Sequence, residues 1–222
     1  MKPTTPTRSA TAYEALTTMI RTKQILPGDF LSENSVARDL AMSRTPVREA
    51  IRRLAQEGAL VVLPNRGVVV AQLTVEDLEE IYEVREVLEG LASRNAAIRA
   101  TPEVIGQLES LVERMRETIP PGDENTFSDL DMEFHATIAG ASGNSRLKNL
   151  LAGMRTANAV AHFRPDFRPH NPRTARSLEE HAELLAAIRD RDPETADRLA
   201  RAHSRAAVRD FLLYALSGAD AT

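Results

Sequence analysis

Four residues in the second half of this chain have the types and spacing to hold a divalent metal ion: Asp131, His135, His181 and His203. Imidazole nitrogens and a carboxylate oxygen are hard-to-borderline donors, and four of them leave an octahedral ion two positions for water or a small oxygen ligand. His135 follows Asp131 by four residues, so on a helix both side chains project from one face about one turn apart. His181 lies three residues from Leu178 and Leu184, and His203 lies four from Leu199 and three from Ala206, spacings that turn both rings toward an apolar interior. Taken singly, each histidine reads as an ordinary core residue. Taken together, three imidazoles and a carboxylate are costly to bury unpaired and read as a metal site. The chain has no cysteine, which excludes disulfides and thiolate ligands.

A different chemistry stands near the amino terminus. From Ser43 to Gly58, Pro46 sits where a first helical residue is expected and Gly58 where a helix stops. Val47, Ala50, Ile51, Leu54 and Ala55 recur at helical spacing as one apolar stripe, while Thr45, Arg48 and Arg52 fall on the arc beside and opposite it. A helix that buries one face and holds out arginines and a threonine is shaped for a DNA major groove. A solvated charged face has the same pattern, and this helix alone does not separate the two.

The elements that must position these residues can be read in order. Residues 1–10 are polar and read as a flexible arm. Thr11-Ala-Tyr-Glu14 reads as a capping box for a first helix carrying Ala12, Leu16, Met19 and Ile20, which Leu26-Pro-Gly-Asp29 ends. Ser32 opens a short helix with Val36, Ala37 and Leu40 inward, and Ala41-Met42 leaves a tight turn before Ser43, so the three helices form a helix-turn-helix. Leu60 to Leu63 and Val68 to Ala71 then flank Pro64-Asn-Arg-Gly67 as a hairpin with Arg66 at its tip, either a solvated turn residue or a wing contact to DNA.

From Thr74 the signals are helical. The first of these helices carries Leu78, Ile81, Leu88 and Leu91 on one face, and Thr101-Pro102 starts a second with Val104, Ile105, Leu108, Leu111, Val112 and Met115. Pro120-Pro-Gly122 ends that one. A third, from about Asn125 to Ala141, carries Leu130, Phe134 and Ile138, and after Ser142-Gly-Asn144 a fourth carries Leu147, Leu150, Leu151 and Met154. Phe163 to Pro172 reads as a loop, a fifth helix runs near Thr174 to Arg191, and Asp192-Pro193 starts a sixth that continues to about Ser217.

Composition agrees: 42% hydrophobic and 4% aromatic residues favour helices with real cores over sheet. Residues 1–73 carry 10 Lys+Arg against 6 Asp+Glu, a net of +4, and the remainder 18 against 26, a net of -8. A basic amino-terminal part suits a polyanion partner. No apolar run is long enough to span a bilayer and no signal core is visible, so no membrane partner and a cytoplasmic location are expected.

Residues 11–72 resemble the winged helix-turn-helix of the GntR family of bacterial transcription regulators, through Leu26-Pro-Gly, Leu31-Ser-Glu33, Ser43-Arg-Thr-Pro-Val-Arg-Glu-Ala50, Arg53-Leu54, Glu57-Gly58 and Pro64-Asn-Arg-Gly67. The resemblance implies that Arg44 and Arg48 read bases, that Ser43 and Thr45 touch phosphates, and that Arg66 and Gly67 form the wing tip. Asn34 stands where many relatives have a DNA-contacting arginine, and Ala41-Met42 replaces a common Gly-Val turn. Residues 74–216 resemble the FCD domain of the FadR subfamily through Arg85-Glu-Val-Leu-Glu89, Asp131 with Phe134-His135, Ala141-Ser-Gly-Asn144, Glu180-His181 with Ala187-Ile188, and His203. In metal-binding members an aspartate and three histidines at this spacing hold the ion. The resemblance also puts Arg85 near the pocket, either as a carboxylate anchor or paired with Glu89 one turn on. Asn144 reads as a helix end beside that pocket, and Arg155 and His162 as candidates to line it.

The expectation is therefore a mainly α protein: a winged helix-turn-helix over 11–73, an all-α bundle of about six helices over 74–217 and a tail at 218–222. It would be a homodimeric regulator, more often a repressor by resemblance, on a pseudo-palindromic double-stranded DNA operator. A small carboxylate would bind beside a divalent ion (Zn, Ni or Mn), with Arg85, Glu89, Asn144 and Arg155 as effector-site candidates. Two rivals remain: a metalloenzyme acting on a small carboxylate, which lacks a general base beside the ligands, and a regulator whose histidines are only structural.

Overall fold

The computed structural model describes residues 7–22, 24–64, 66–119, 123–161 and 172–217, with side chains for all of these except 124, 125, 155–161, 172, 211, 212 and 214–217. They fall into two compact units, one built on the elements up to Thr74 and the other mainly on the helices from Val75 onward.

The first unit contains α1 (Arg8–Arg21), β1 (Phe30–Leu31), α2 (Glu33–Asp39), α3 (Arg44–Gln56), β2 (Leu60–Leu63) and β3 (Gly67–Val70). Helix α1 starts earlier than the sequence suggests. Thr7 is its cap, accepting from the Ala10 N–H, and the Thr11 hydroxyl donates to the Thr7 carbonyl from inside the first turn. Arg8 to Ala10 thus belong to the helix and not to an arm, because a capping threonine, Thr7, was available four residues upstream of Thr11. Pro46 likewise lies in the first turn of α3 and not at its first position, a shift that costs nothing because the first four N–H groups have no helical acceptor.

Val47, Ala50, Ile51 and Leu54 of α3 are buried against Ala12, Leu16 and Ile20 of α1 in one core. At roughly 1.5–3 kcal/mol for each large aliphatic side chain, this burial holds α3 far more firmly than its helix propensity does. Glu57 and Arg53 add a local lock: Tyr13 donates to Glu57 Oε2 at 2.6 Å, Arg53 Nε donates to Oε1 at 3.0 Å, and the Arg53 guanidinium carbon stands 3.7 Å over the Tyr13 ring.

The hairpin pairs Leu60 with Val70 and Leu63 with Gly67, and β1 adds a third antiparallel strand on β3, giving the order β1-β3-β2. Two-residue β1 carries too short a pattern to be read from sequence. Gly67 takes φ +101, a backbone a side chain resists, so the wing turn requires glycine there.

The turn between α2 and α3 has a cost built in. Ala41 adopts φ +51, left-handed geometry in which a Cβ crowds the carbonyl. Ala41→Gly should therefore stabilise this unit by up to about 1 kcal/mol in denaturant unfolding. An unchanged or lower midpoint would contradict that strain.

Beyond Thr74 the chain has six helices among the described residues: α4 (Val75–Arg99), α5 (Pro102–Thr118), α6 (Glu124–Ala141), α7 (Ser145–Ala161), α8 (Pro172–Arg189) and α9 (Pro193–Ser217), all in the second unit save the part of α7 from Gly153. Thr101, Asp123 and Asp192 cap α5, α6 and α9 through their side chains. The expected loop at 163–172 lies outside the described residues except Pro172, which opens α8, and His162, 120–122 and 218–222 lie outside them too.

The inward face of α4 differs from the one expected. Leu78 is buried, but Ile81 and Leu88 are only partly so and Leu91 is exposed, while Tyr82, Arg85, Glu89, Gly90, Ser93 and three alanines point inward. Apolar residues occur all round this helix, so periodicity alone could not choose its buried side. The choice follows from close packing on α9: a Cβ at Gly90 would run into the Asp197 and Arg201 side chains. On α7, Leu147 and Leu151 enter the core and Leu150 stays exposed.

Candidate functional site

In the winged unit, Arg44, Thr45, Arg48 and Arg52 are all exposed on α3, and Ser43 is its N-cap with no side-chain cap bond. Arg66 is exposed in the wing turn, its backbone N–H donating to the Leu63 carbonyl at 3.1 Å, and Gly67 begins β3. Glu33, the first residue of α2, was not singled out from the sequence as a site residue. Its carboxylate accepts from Arg48 Nε at 2.9 Å and Nη2 at 2.8 Å, and from Arg44 Nη2 at 3.4 Å. The bond from Arg48 holds the Glu33 carboxyl below its ordinary range.

In the helical unit, α6 carries Asp131 and His135, α8 carries His181 and α9 carries His203, and one ligand atom from each lies within 4.8 Å of all the others. The ring centroids stand 5.1 Å apart for His135 and His181, 5.1 Å for His135 and His203, and 4.7 Å for His181 and His203. Phe134 closes one side, its ring 4.7 Å from that of His181. His181 is fully buried and, among the described residues, neither of its ring nitrogens has a hydrogen bond. Its Nε2 is 3.2 Å from Asp131 Oδ1, and His135 Nε2 is 3.7 Å from the same oxygen. The shorter approach is near enough for a hydrogen bond but not aligned as one, as expected of donor atoms that face a common third centre. Burial pushes the His181 pKa well below its usual value, outweighing the attraction of Asp131, and His203 and His135 add to the lowering; the ring is neutral with a lone pair available. Leaving such a ring unsatisfied costs roughly 1–3 kcal/mol per polar atom. By geometry, burial and donor type the four side chains are compatible with a divalent cation.

A second layer surrounds them. Glu180 Oε2 lies 2.7 Å from His203 Nδ1, and Arg173 grips the same carboxylate with two bonds of 3.0 and 2.8 Å. Burial raises the Glu180 pKa, but the bonds from His203 and Arg173 outweigh it and bring it down to about 2, so the carboxylate is ionised and fixes the ring. Sequence spacing did not point to these roles, because Glu180 and Arg173 sit on α8 and act on a ring of α9.

Arg85 and Glu89 are buried on α4, paired through Arg85 Nε at 3.3 Å and Nη2 at 2.8 Å, and the Ser204 hydroxyl donates to the other Glu89 oxygen at 2.8 Å. One bidentate edge of the Arg85 fork, formed by Nε and Nη2, is therefore occupied by Glu89. Its Nη1 is buried without a hydrogen-bond partner among the described residues. Burial alone would lower the Arg85 pKa, but Glu89 and Tyr82 more than reverse this, with Asp131 contributing too. Asn144 is a capping residue: its Oδ1 accepts from the Arg146 and Leu147 N–H groups, both at 3.1 Å, at the start of α7. Its Oδ1 thus satisfies orphan N–H groups in the first turn of α7. The Arg155 side chain lies outside those described.

Comparison with known proteins matches residues 8–70 to the bacterial regulatory proteins of the gntR family and residues 80–206 to the FCD domain. The chain is 31% identical to the HTH-type transcriptional regulator YdhC of Bacillus subtilis, over 86% of this chain and 85% of that one. It is 32% identical to the gluconate operon transcriptional repressor of the same species, over 82% and 75%. A probable D-xylose utilization operon transcriptional repressor of Paenarthrobacter nicotinovorans is 31% identical over 85% and 81%. Among solved structures, McbR/YncC of E. coli shares the fold with a TM-score of 0.82 at 23% identity, covering 95% of this chain and all of that one. No described helix is long and apolar enough to cross a membrane. With an exposed arginine helix and wing in one unit and a helical bundle in the other, the chain belongs to the GntR family of transcriptional regulators, with an FCD domain behind its DNA-binding domain.

Proposed function

We propose that this regulator is a homodimeric repressor whose grip on a pseudo-palindromic operator is set by a small carboxylate bound beside a divalent ion in the helical domain. The observation that carries the metal is His181, fully buried, with neither ring nitrogen hydrogen-bonded among the described residues, and grouped with Asp131, His135 and His203. Zinc, nickel and manganese all accept such a donor set. The ion would supply a positive centre with open positions for a carboxylate oxygen. Arg85 Nη1, buried and without a hydrogen-bond partner among the described residues, is the natural second contact, and Glu89 holds the rest of that guanidinium in place.

On the DNA side the reading surface is Arg44, Arg48 and Arg52 on α3, with Ser43 and Thr45 at its start and Arg66 and Gly67 at the wing. Repression is favoured by the two operon repressors among the relatives. A second copy is favoured by α4, where Val84, Val87, Leu91 and Ile98 are exposed within an arc of about 60 degrees, the kind of apolar patch that a partner covers. Effector control requires that the carboxylate bind the DNA-free arrangement more tightly than the DNA-bound one.

The test is a thermal-shift screen of small organic acids against the full chain with and without added metal, followed by operator release. A hit that stabilises only the metal-loaded protein and releases DNA is expected. Equal stabilisation after chelation would remove the metal from this reading. Glu180→Gln should weaken metal binding about tenfold by freeing the His203 ring, with the helical content unchanged. Calorimetric titration of the chelated protein checks this, and wild-type affinity in the variant would leave Glu180 without that role.

A further inference from the structure

Among the described residues, Glu33 is the acidic side chain placed against both arginines at the start of the recognition helix. It comes from α2, so it holds them from outside their own helix. Its two oxygens take Arg48 side-on, through Nε at 2.9 and 3.1 Å and Nη2 at 2.8 Å, and Arg44 Nη2 leans on the same carboxylate at 3.4 Å. A guanidinium has two usable edges. With the side edge of the exposed Arg48 bound to Glu33, the end edge formed by Nη1 and Nη2 is the one Glu33 does not take, and that edge can meet the O6 and N7 of a guanine. The trio also carries a net charge of +1 where two free arginines would carry +2, which weakens its attraction for any phosphate regardless of sequence.

We propose that Glu33 is a specificity-determining residue of the DNA interface, orienting Arg48 and Arg44 for base edges while cancelling one charge that would otherwise favour random DNA. This rests on the reading that Arg44 and Arg48 contact bases. Attraction to the right site and suppression of the wrong ones are thereby built into one carboxylate.

The experiment starts by selecting a preferred duplex from a random pool with the full-length wild-type protein. Binding of wild type, Glu33→Gln, Glu33→Asp and Arg48→Ala to that duplex and to a shuffled duplex of equal composition is then titrated over a range of salt. For Glu33→Gln, tighter binding to the shuffled duplex is expected, with a salt slope steeper by about one unit and a selected-to-shuffled ratio about tenfold lower. Glu33→Asp keeps the charge but withdraws it by one methylene, so its slope should stay at the wild-type value while its ratio falls. A wild-type ratio and slope in Glu33→Gln, alongside a lost ratio in Arg48→Ala, overturns the proposal and leaves the base-reading assignment standing. A wild-type ratio in Arg48→Ala removes the base-reading premise, and the proposal with it. Weaker binding of Glu33→Gln to both duplexes, with helical content intact, also overturns it.

Discussion

Replacing His181 by alanine is expected to cut the affinity of the helical domain for a divalent ion by about 100-fold or more. The free energy of a four-ligand site is of order 10 kcal/mol, so one ligand in four carries a few kcal/mol, more than the second-layer effect of Glu180. His181 is the most exacting of the four to remove, because its ring is fully buried and its nitrogens have no other partner among the described residues. Titration of nickel, zinc or manganese into chelator-treated protein measures this directly. A melt offers a second readout: an ion at about 1,000 times its dissociation constant stabilises the folded state by about 4 kcal/mol, and that gain should vanish in the variant. Wild-type affinity in His181→Ala would mean that the ring is only a packing element. Acid should act in a related way on the metal-free protein. The folded His181 resists a proton that the unfolded chain accepts at its ordinary value of 6.5, so the unfolded state binds more protons below that pH. Stability from this group is then present above about pH 6.5 and is lost as the pH falls further.

Arg48→Ala should cost about 1 to 3 kcal/mol on the preferred duplex and relax base preference there, because a bidentate guanidinium-to-guanine contact is worth that much discrimination. The exposed position of Arg48 on α3, with its side edge on Glu33, makes it the arginine best prepared to read a base. Arg66→Ala provides the contrast. At the wing turn its loss should weaken selected and shuffled DNA more evenly and lower the salt slope by about one unit. Equal losses on both duplexes for Arg48→Ala would reduce it to a phosphate contact.

Much of this molecule could be read from residue order because the signals were local. Ser32, Thr101 and Asp192 mark helix starts by capping within three residues, and the hairpin is announced by two β-branched runs around Pro64 to Gly67. The stripe on α3 proved to be the buried one because its apolar residues occupy a single face. On α4 the same reasoning placed the inward face only in part: Leu78 is buried, but Leu91 is exposed. That helix has apolar residues on several faces, and the approach of α9 at Gly90 decided which side went inward. The consequence reaches the site: the inward turn of α4 carries Arg85 and Glu89, which local pattern had left open between a ligand anchor and an ion pair.

By itself the sequence determined several helix starts, among them those capped by Ser32, Thr101 and Asp192, and the presence of four residues with metal-type donors, since each depends on residue type and on spacing within one element. Only the tertiary structure decided how those donors meet, which edge of Arg85 stays available, and that Glu180 and Glu33 act on side chains of other helices. Those contacts join residues such as Glu33 and Arg48, or Glu180 and His203, across helix pairs whose relative rotation is set by packing, and packing is a property of the whole core that no single stretch of sequence contains.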